Sequence, residues 1–246
     1  MKKKHVYMLI VSFLLVLVIP KLTFAEGLVD VKIGDSGNLT DSVKIFLLVF
    51  VLSIAPALFI MLTCFSQVII VLGMTRQGLG TQTIPPNQVL VGLALFITLF
   101  IMSPVIKDIN THAYQPYEKG QITEMEALEK AGKPLKTFML ANTKDDTIAT
   151  MYKLTDEKLP TKKEDVSFIK LIPSYAISQI TKGFITGLAI YGLFVFIDLI
   201  ISSILMFLGM MMLPPQIISL PIKLLTFLSI GGFNAIVEVI YKSIAT

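Results

Sequence analysis

Residues 209–215 read Gly-Met-Met-Met-Leu-Pro-Pro, and they follow an apolar run, Gly183–Leu213, that is long enough to cross a membrane. Three consecutive methionines cannot share one face of a helix, because successive helical side chains point about 100° apart. The proline pair is expected to stop the helix, since proline lacks the N–H and clashes with the preceding turn. The sequence therefore predicts flexible thioethers at a helix end, which either fill gaps in a membrane protein or seal a passage.

The composition of the chain indicates an integral membrane protein. Of its 246 residues, 54% are hydrophobic and 15% are charged, whereas soluble chains carry about 25% charged residues. The net charge of +4 includes Lys2–Lys4, so nucleic acid is not an expected partner. Cys64 is the single cysteine, which precludes an intrachain disulfide. The sequence contains no nucleotide-binding loop, Cys/His cluster or nucleophile motif, so we expect no enzymatic activity, metal or cofactor.

The N-terminus has the features of a secretory signal peptide. Lys2–Lys4 form a basic start, Val6–Ile19 form a short apolar core, and Thr23-Phe24-Ala25 offers small residues at the positions that signal peptidase reads. Cleavage after Ala25 gives a mature chain that starts at Glu26. The alternative is an uncleaved anchor, which the apolar core disfavours because a span needs about 20 residues.

Four further apolar segments follow: Val43–Met74, Val89–Ile106, Gly183–Leu213 and Ile217–Ile240. The first contains Pro56 and the polar residues Thr63, Cys64, Ser66 and Gln67. As one helix it would reach about 48 Å, well beyond a hydrocarbon core of about 30 Å. It is therefore either a kinked, tilted helix or two half-helices.

These segments predict an all-α membrane protein with two long helical hairpins, 43–106 and 183–240. An exocytoplasmic segment, 26–42, precedes them, a helical exocytoplasmic region, 107–182, separates them, and a short tail, 241–246, follows. Arg76, the only arginine, would lie in a cytoplasmic loop, in agreement with the positive-inside tendency.

The 107–182 region shows helix boundary signals. Thr123 with Glu126 forms a capping-box pattern, Gly132 suits the following stop, and Pro134 suits the first position of a second helix. His112 is expected to be a surface residue. We expect short amphipathic helices here that pack on neighbouring chains.

The loops between the paired segments resemble each other. Residues 80–87 and 209–216 share a glycine, three further residues, an aliphatic residue, two prolines and a carboxamide. Pro85-Pro86 and Pro214-Pro215 would then mark the turns of two proline-pinned hairpins.

Asp198 is the most conspicuous ionisable residue, because a carboxylate within an apolar segment is costly. A simple hairpin would not align it with Lys223: Asp198 lies about 24 Å of helix before Pro214, and Lys223 about 12 Å after Pro215. We expect instead that Asp198 bonds Ser202 or a group on another subunit. The alternatives are a structural, hydrogen-bonded role in assembly and a role in proton or transport coupling.

Three groups of residues carry a family resemblance. They are Ile197–Leu199 with Gly209–Pro215 and Ser219–Lys223; Leu79–Thr81 with Pro85–Leu90 and Phe100–Pro104; and Ala113–Tyr117 with Glu126–Glu129 and Phe138–Met139. Together they closely resemble the FliP family of flagellar export-gate proteins over most of residues 44–228. One departure is Ile230-Gly231-Gly232-Phe233, where that family usually has an acidic residue and a tryptophan.

The resemblance implies a pore-forming, non-enzymatic subunit of the type III export gate. It implies an inner-membrane protein of the flagellar basal body that assembles with copies of itself in a five-copy ring, with FliQ and FliR, and with other export apparatus proteins. It also implies that Met210, Met211 and Met212 form a gasket and that unfolded flagellar proteins pass outward. The alternatives are a virulence-type secretion homologue and, from another class, an ion-coupled secondary transporter with broken helices.

Overall fold

A computed structural model gives the fold of residues 39–81, 83–210 and 213–244. The predicted signal peptide and the residues Met211 and Met212 lie outside these described residues. Within them the chain forms ten α-helices: α1 Leu39–Leu62, α2 Phe65–Gly78, α3 Asn87–Ile101, α4 Ser103–Ile109, α5 Gln115–Glu118, α6 Glu124–Ala141, α7 Asp145–Leu154, α8 Phe168–Phe207, α9 Pro215–Ser229 and α10 Phe233–Ile244. A π-helical turn, Asn110–Tyr114, joins α4 to α5, and a 3₁₀ turn, Lys163–Asp165, precedes α8.

The chain divides into two units after Val51. In the described part of the first unit, the opening half of α1 exposes large apolar side chains, and the rings of Phe46 and Phe50 stack 6.2 Å apart. The second unit, Leu52–Thr246, holds α2 to α10 and both proline-containing loops.

Three of the four apolar segments are bent rather than straight. The first breaks between α1 and α2 with a bend of 70°, which decides the alternatives in favour of two helices. Pro56 lies inside α1, and the break falls instead at Thr63, whose hydroxyl donates to the Phe59 carbonyl at 2.7 Å. The second bends by 56° at Met102, just before Pro104, and the fourth bends by 64° at Gly231-Gly232. Both glycines have positive φ, which other residues rarely adopt.

Helix α8 is the one described helix that alone is long and apolar enough to cross a membrane. Its 40 residues extend about 60 Å, about twice the hydrocarbon thickness. The predicted apolar segment starts at Gly183, so the first fifteen or so residues of α8 belong to the charged 107–182 region. One rigid helix therefore runs from the charged region to the methionine segment.

Helices α2 and α8 pack side by side and run in the same direction. Gly183 lies against Gln67 and Ile70, and Gly187, one turn further along α8, lies against Met74. A Cβ atom at Gly187 would lie 2.6 Å from the Met74 Sδ and 3.1 Å from the Met74 Cβ, so a larger residue would force Met74 to shift. Small residues four apart are typical of closely packed membrane helices.

The prediction of helices in the 107–182 region is confirmed, but one boundary is wrong. The capping box is present: the Thr123 N–H donates to Glu126 Oε2 at 3.0 Å, and the Glu126 N–H donates to Thr123 Oγ1 at 3.4 Å. The predicted stop at Gly132 is absent, because α6 continues through Gly132 and Pro134 to Ala141. Gly132 faces the Phe168 ring, and the residues after Pro134 pack into a core with α7 and α8, which outweighs the loss of one helical N–H.

Candidate functional site

The methionine segment begins where α8 ends, and a glycine causes the ending. Gly209 has φ +74°; its N–H donates to the Met206 carbonyl at 3.1 Å, and the Met210 N–H donates to the Leu205 carbonyl at 3.0 Å. These two bonds around a left-handed glycine form a Schellman motif. The prediction that the proline pair stops the helix is therefore wrong. Pro214 is instead the N-cap of α9, and Pro215 is its first residue, where a missing N–H costs nothing.

Met210 directly follows this helix end, and 41% of its surface is exposed. The side chain therefore does not fill a gap in the core of the single chain. The gasket role of Met210, Met211 and Met212 stays a prediction.

The expectation that Asp198 and Lys223 cannot meet is wrong. Lys223 Nζ lies 2.5 Å from Asp198 Oδ2, in an ion pair between α8 and α9. The helix does not continue to Pro214: α8 ends at Phe207, about 14 Å beyond Asp198. Lys223 lies about 12 Å into α9, so the two side chains stand at the same height.

Lys223 also binds a third element. Its ammonium donates to the Gly78 carbonyl at 3.0 Å, and only 5% of the lysine side chain is exposed. This carbonyl is at the C-terminus of α2, where the helix dipole favours a cation. One buried ammonium thus joins the C-terminus of α2 to α8 and α9.

The second carboxylate oxygen of Asp198 takes no part in these hydrogen bonds. Asp198 Oδ1 is buried and has no hydrogen-bond partner among the described residues. The expected bond to Ser202 is therefore absent, because the carboxylate turns toward Lys223. About one third of the Asp198 side chain is exposed, at 33%.

The first proline loop is built like the second and lies beside the same lysine. Helix α2 ends one residue before Leu79, and Gly80 has φ +80°, as Gly209 does after α8. Pro86 is the N-cap of α3. A Cβ atom on Gly80 would lie 3.9 Å from Lys223 Nζ, so this loop lies against the lysine that pairs with Asp198.

Arg76 fixes the shape of this first loop. Its guanidinium donates to the Pro85 carbonyl at 3.1 Å and to Asn87 Oδ1 at 2.7 Å. The sequence suggested only a topological role for Arg76, on the cytoplasmic side. The sequence gives no local signal for these contacts. Pro85 and Asn87 follow Arg76 across a loop, and no characteristic residue spacing links such partners.

An open cleft of about 670 Å³ surrounds these groups. Its walls include Arg76, Gly80, Asp198, Gln216 and Lys223. The ammonium and the carboxylate neutralise each other, and within residues 39–81, 83–210 and 213–244 no cluster of His, Cys, Asp or Glu could hold a metal ion. The arrangement is suited to holding helices in place.

Comparison with known proteins gives the family. Residues 48–240 match the FliP family. The chain belongs to the FliP family.

Individual FliP relatives match nearly the whole chain. It is 41% identical to the flagellar biosynthetic protein FliP of Bacillus subtilis over 85% of this chain and 95% of that protein. It is 35% identical to the protein of the same name from Aquifex aeolicus, over 87% of this chain and 90% of that protein. For the one from Pectobacterium carotovorum the identity is 38%, over 88% of this chain and 84% of that protein.

Proposed function

We propose that this FliP-family protein is a non-enzymatic, pore-forming subunit of the flagellar type III export gate in the bacterial inner membrane. The observation that carries the proposal is the match to proteins named flagellar biosynthetic protein FliP over most of the chain. In this proposal it assembles in a five-copy ring with FliQ and FliR at the flagellar basal body, and unfolded flagellar proteins pass through the ring.

The methionine segment is the closure of this pore. Met210 is exposed at the end of the longest apolar helix, and the segment is bracketed by two helices that the Asp198–Lys223 pair holds together. Thioethers adapt to irregular partners, so several copies of Met210–Met212 can seal an axis without fixed complementarity. The proline pairs 85–86 and 214–215 start the return helix of each hairpin.

Export by the native bacterium tests the proposal. The gene is deleted and restored in trans, and exported flagellar protein in the medium is measured together with the membrane abundance of FliQ and FliR. Loss of export on deletion and its return on complementation are expected. Normal export in the deletion strain would refute the proposal, and export restored only in an injectisome-bearing strain would favour the virulence-type homologue. Solute uptake by the purified protein in liposomes would favour the transporter.

A further inference from the structure

Two glutamines and a tyrosine lie inside the helix bundle, where apolar side chains are the rule. Gln67 of α2 and Tyr175 and Gln179 of α8 are all fully buried. Each keeps one polar atom without a hydrogen-bond partner among the described residues: Gln67 Oε1, Gln179 Oε1 and the Tyr175 hydroxyl. About 90% or more of buried polar groups in proteins are hydrogen-bonded, so three unpaired atoms require an explanation.

The bonds of the two carboxamide nitrogens fix the orientation of both glutamines. Gln67 Nε2 donates to Ser243 Oγ at 2.7 Å, and that hydroxyl already donates to the Ile240 carbonyl at 2.7 Å. Gln179 Nε2 donates to the Asn142 carbonyl at 3.5 Å, and a carbonyl can only accept. Exchanging oxygen and nitrogen would break both contacts, so the unpaired atoms are the two oxygens.

The three side chains belong to one short stretch of the interface between α2 and α8. A Cβ atom at Gly183 would lie 3.2 Å from the Gln67 Cα, and Gln179 precedes Gly183 by one helical turn. Tyr175 lies one further turn back on the same face of α8, so these two turns cover about 12 Å. Tyr175 also lies close to Cys64, the residue that precedes α2. We call Gln67, Tyr175 and Gln179 the polar layer.

The hydrogen-bonding capacity of the polar layer matches that of water. The two carboxamide oxygens need donors, and the tyrosine hydroxyl needs an acceptor. Water both donates and accepts, and it is small enough to lie between packed helices. A cation fits less well, because it cannot accept from the hydroxyl and the layer contains no carboxylate to balance its charge. A side chain of another protein cannot enter, because all three residues are fully buried.

We propose that the polar layer binds ordered water between α2 and α8, which donates to Gln67 and Gln179 and accepts from Tyr175. Proteins hold about one buried water per 27 residues, and each typically makes about three hydrogen bonds to groups that have no other partner. A satisfied polar network inside a bundle specifies one register, because a shifted helix would leave its members unpaired. The bound water thus fixes α8 against α2, close to the break between α1 and α2.

Hydroxyl-radical footprinting of the full-length protein, extracted in detergent, tests for this water. X-ray radiolysis splits bound water as well as bulk water, so a buried side chain beside bound water is oxidised although bulk solvent does not reach it. Tyr175 is the reporter, and Phe194, fully buried in the apolar core further along α8, is the control. Each oxidation rate is divided by the rate of the same residue in the denatured protein, which removes the difference in intrinsic reactivity. We expect the ratio for Tyr175 to be several-fold higher than the ratio for Phe194.

A matched pair of variants tests the assigned partners. Gln179→Leu removes one acceptor and should lower the Tyr175 ratio several-fold, whereas Gln121→Leu, at an exposed loop position, should leave it unchanged. An unchanged ratio in Gln179→Leu would overturn the assignment. Equal ratios for Tyr175 and Phe194 in the unaltered protein would overturn the water site itself, and this comparison needs no variant to fold. Alkylation of Cys64 as fast as that of an exposed thiol would also overturn it, because bulk water would then reach Tyr175.

Discussion

Replacing Lys223 by methionine should destabilise the protein strongly, although it removes only an ammonium group. The ammonium lies 2.5 Å from Asp198 Oδ2 and 3.0 Å from the Gly78 carbonyl, and the side chain is nearly buried. Removing one partner of a buried pair costs about 3–5 kcal/mol, because the other charge stays buried without compensation. Asp198 is partly exposed, so water relieves some of this cost. We therefore expect the free energy of unfolding to fall by about 3 kcal/mol.

A double-mutant cycle separates the pair from its surroundings. Asp198→Leu alone should cost a similar amount, since it leaves a buried ammonium. Asp198→Leu together with Lys223→Met should cost far less than the sum, because two apolar side chains replace the pair. The remaining cost is about 1–3 kcal/mol, because the Gly78 carbonyl loses its hydrogen-bond donor. Asp198→Asn should be milder than Asp198→Leu, because the amide oxygen still accepts from Lys223.

Cys64 provides the assay. Its thiol is fully buried at the start of α2, about 21 Å from Gly78 at the other end, so its labelling reports opening of the bundle rather than loss of the local contact. When opening and reclosing are fast, the labelling rate follows the open population. A loss of 3 kcal/mol therefore accelerates labelling about 100-fold.

The labelling rates of the single and double variants decide whether the pair holds the helices together. If each single variant labels within a few-fold of the unaltered protein, or if the double variant shows the sum of the two single effects, the pair does not hold the helices together. Where Asp198→Leu leaves too little protein in the membrane to label, Asp198→Asn serves in its place. Its labelling rate should lie between those of the unaltered protein and Asp198→Leu.

Four further outcomes are expected. Replacing Met210–Met212 with alanine should raise the ion permeability of membranes containing the assembled complex, with abundance unchanged; normal permeability would return the methionines to gap-filling. Gly187→Leu should weaken the contact between α2 and α8 and accelerate Cys64 labelling, because even a Cβ would meet Met74 Sδ at 2.6 Å. Gly192→Ala has no atom within 4 Å of the new Cβ and should be neutral or stabilising by up to about 1 kcal/mol. N-terminal sequencing of the membrane protein should find Glu26, and a Met1 start would show that the signal is not cleaved.

Hydropathy alone predicted the helical class and the apolar segments. A continuous run of about 18 or more apolar residues is seldom anything other than a membrane-spanning helix. It could not place the bends. Thr63 and Gly231-Gly232 end helices inside apolar runs, whereas Pro56 and Pro134, the stronger breakers by type, lie within continuous helices. Tertiary packing on either side of a proline outweighs one missing hydrogen bond, and it leaves no trace in the local sequence.

The candidate site was half predictable. The sequence singled out Asp198 and Lys223, since charges in apolar segments need a reason to be there. It could not pair them, because pairing depends on where α8 ends, and the stop signal was assigned to Pro214 rather than to Gly209. A helix rises about 1.5 Å per residue. Misplacing one helix end by several residues therefore predicts a separation of about 10 Å between two side chains that are in contact.

The position of the end of α8 decides what kind of segment the methionines occupy. If the proline pair ended α8, Met210 would be a helical residue whose direction is fixed by its helix. With the Schellman motif at Gly209, the segment is a connector that leaves α8 early and enters α9 at Pro214. Its two ends are then held by α8 and α9, the two helices that the Asp198–Lys223 pair joins. In the proposed gasket role, ends fixed by packed helices would let adaptable thioethers close the axis without disturbing the bundle around them.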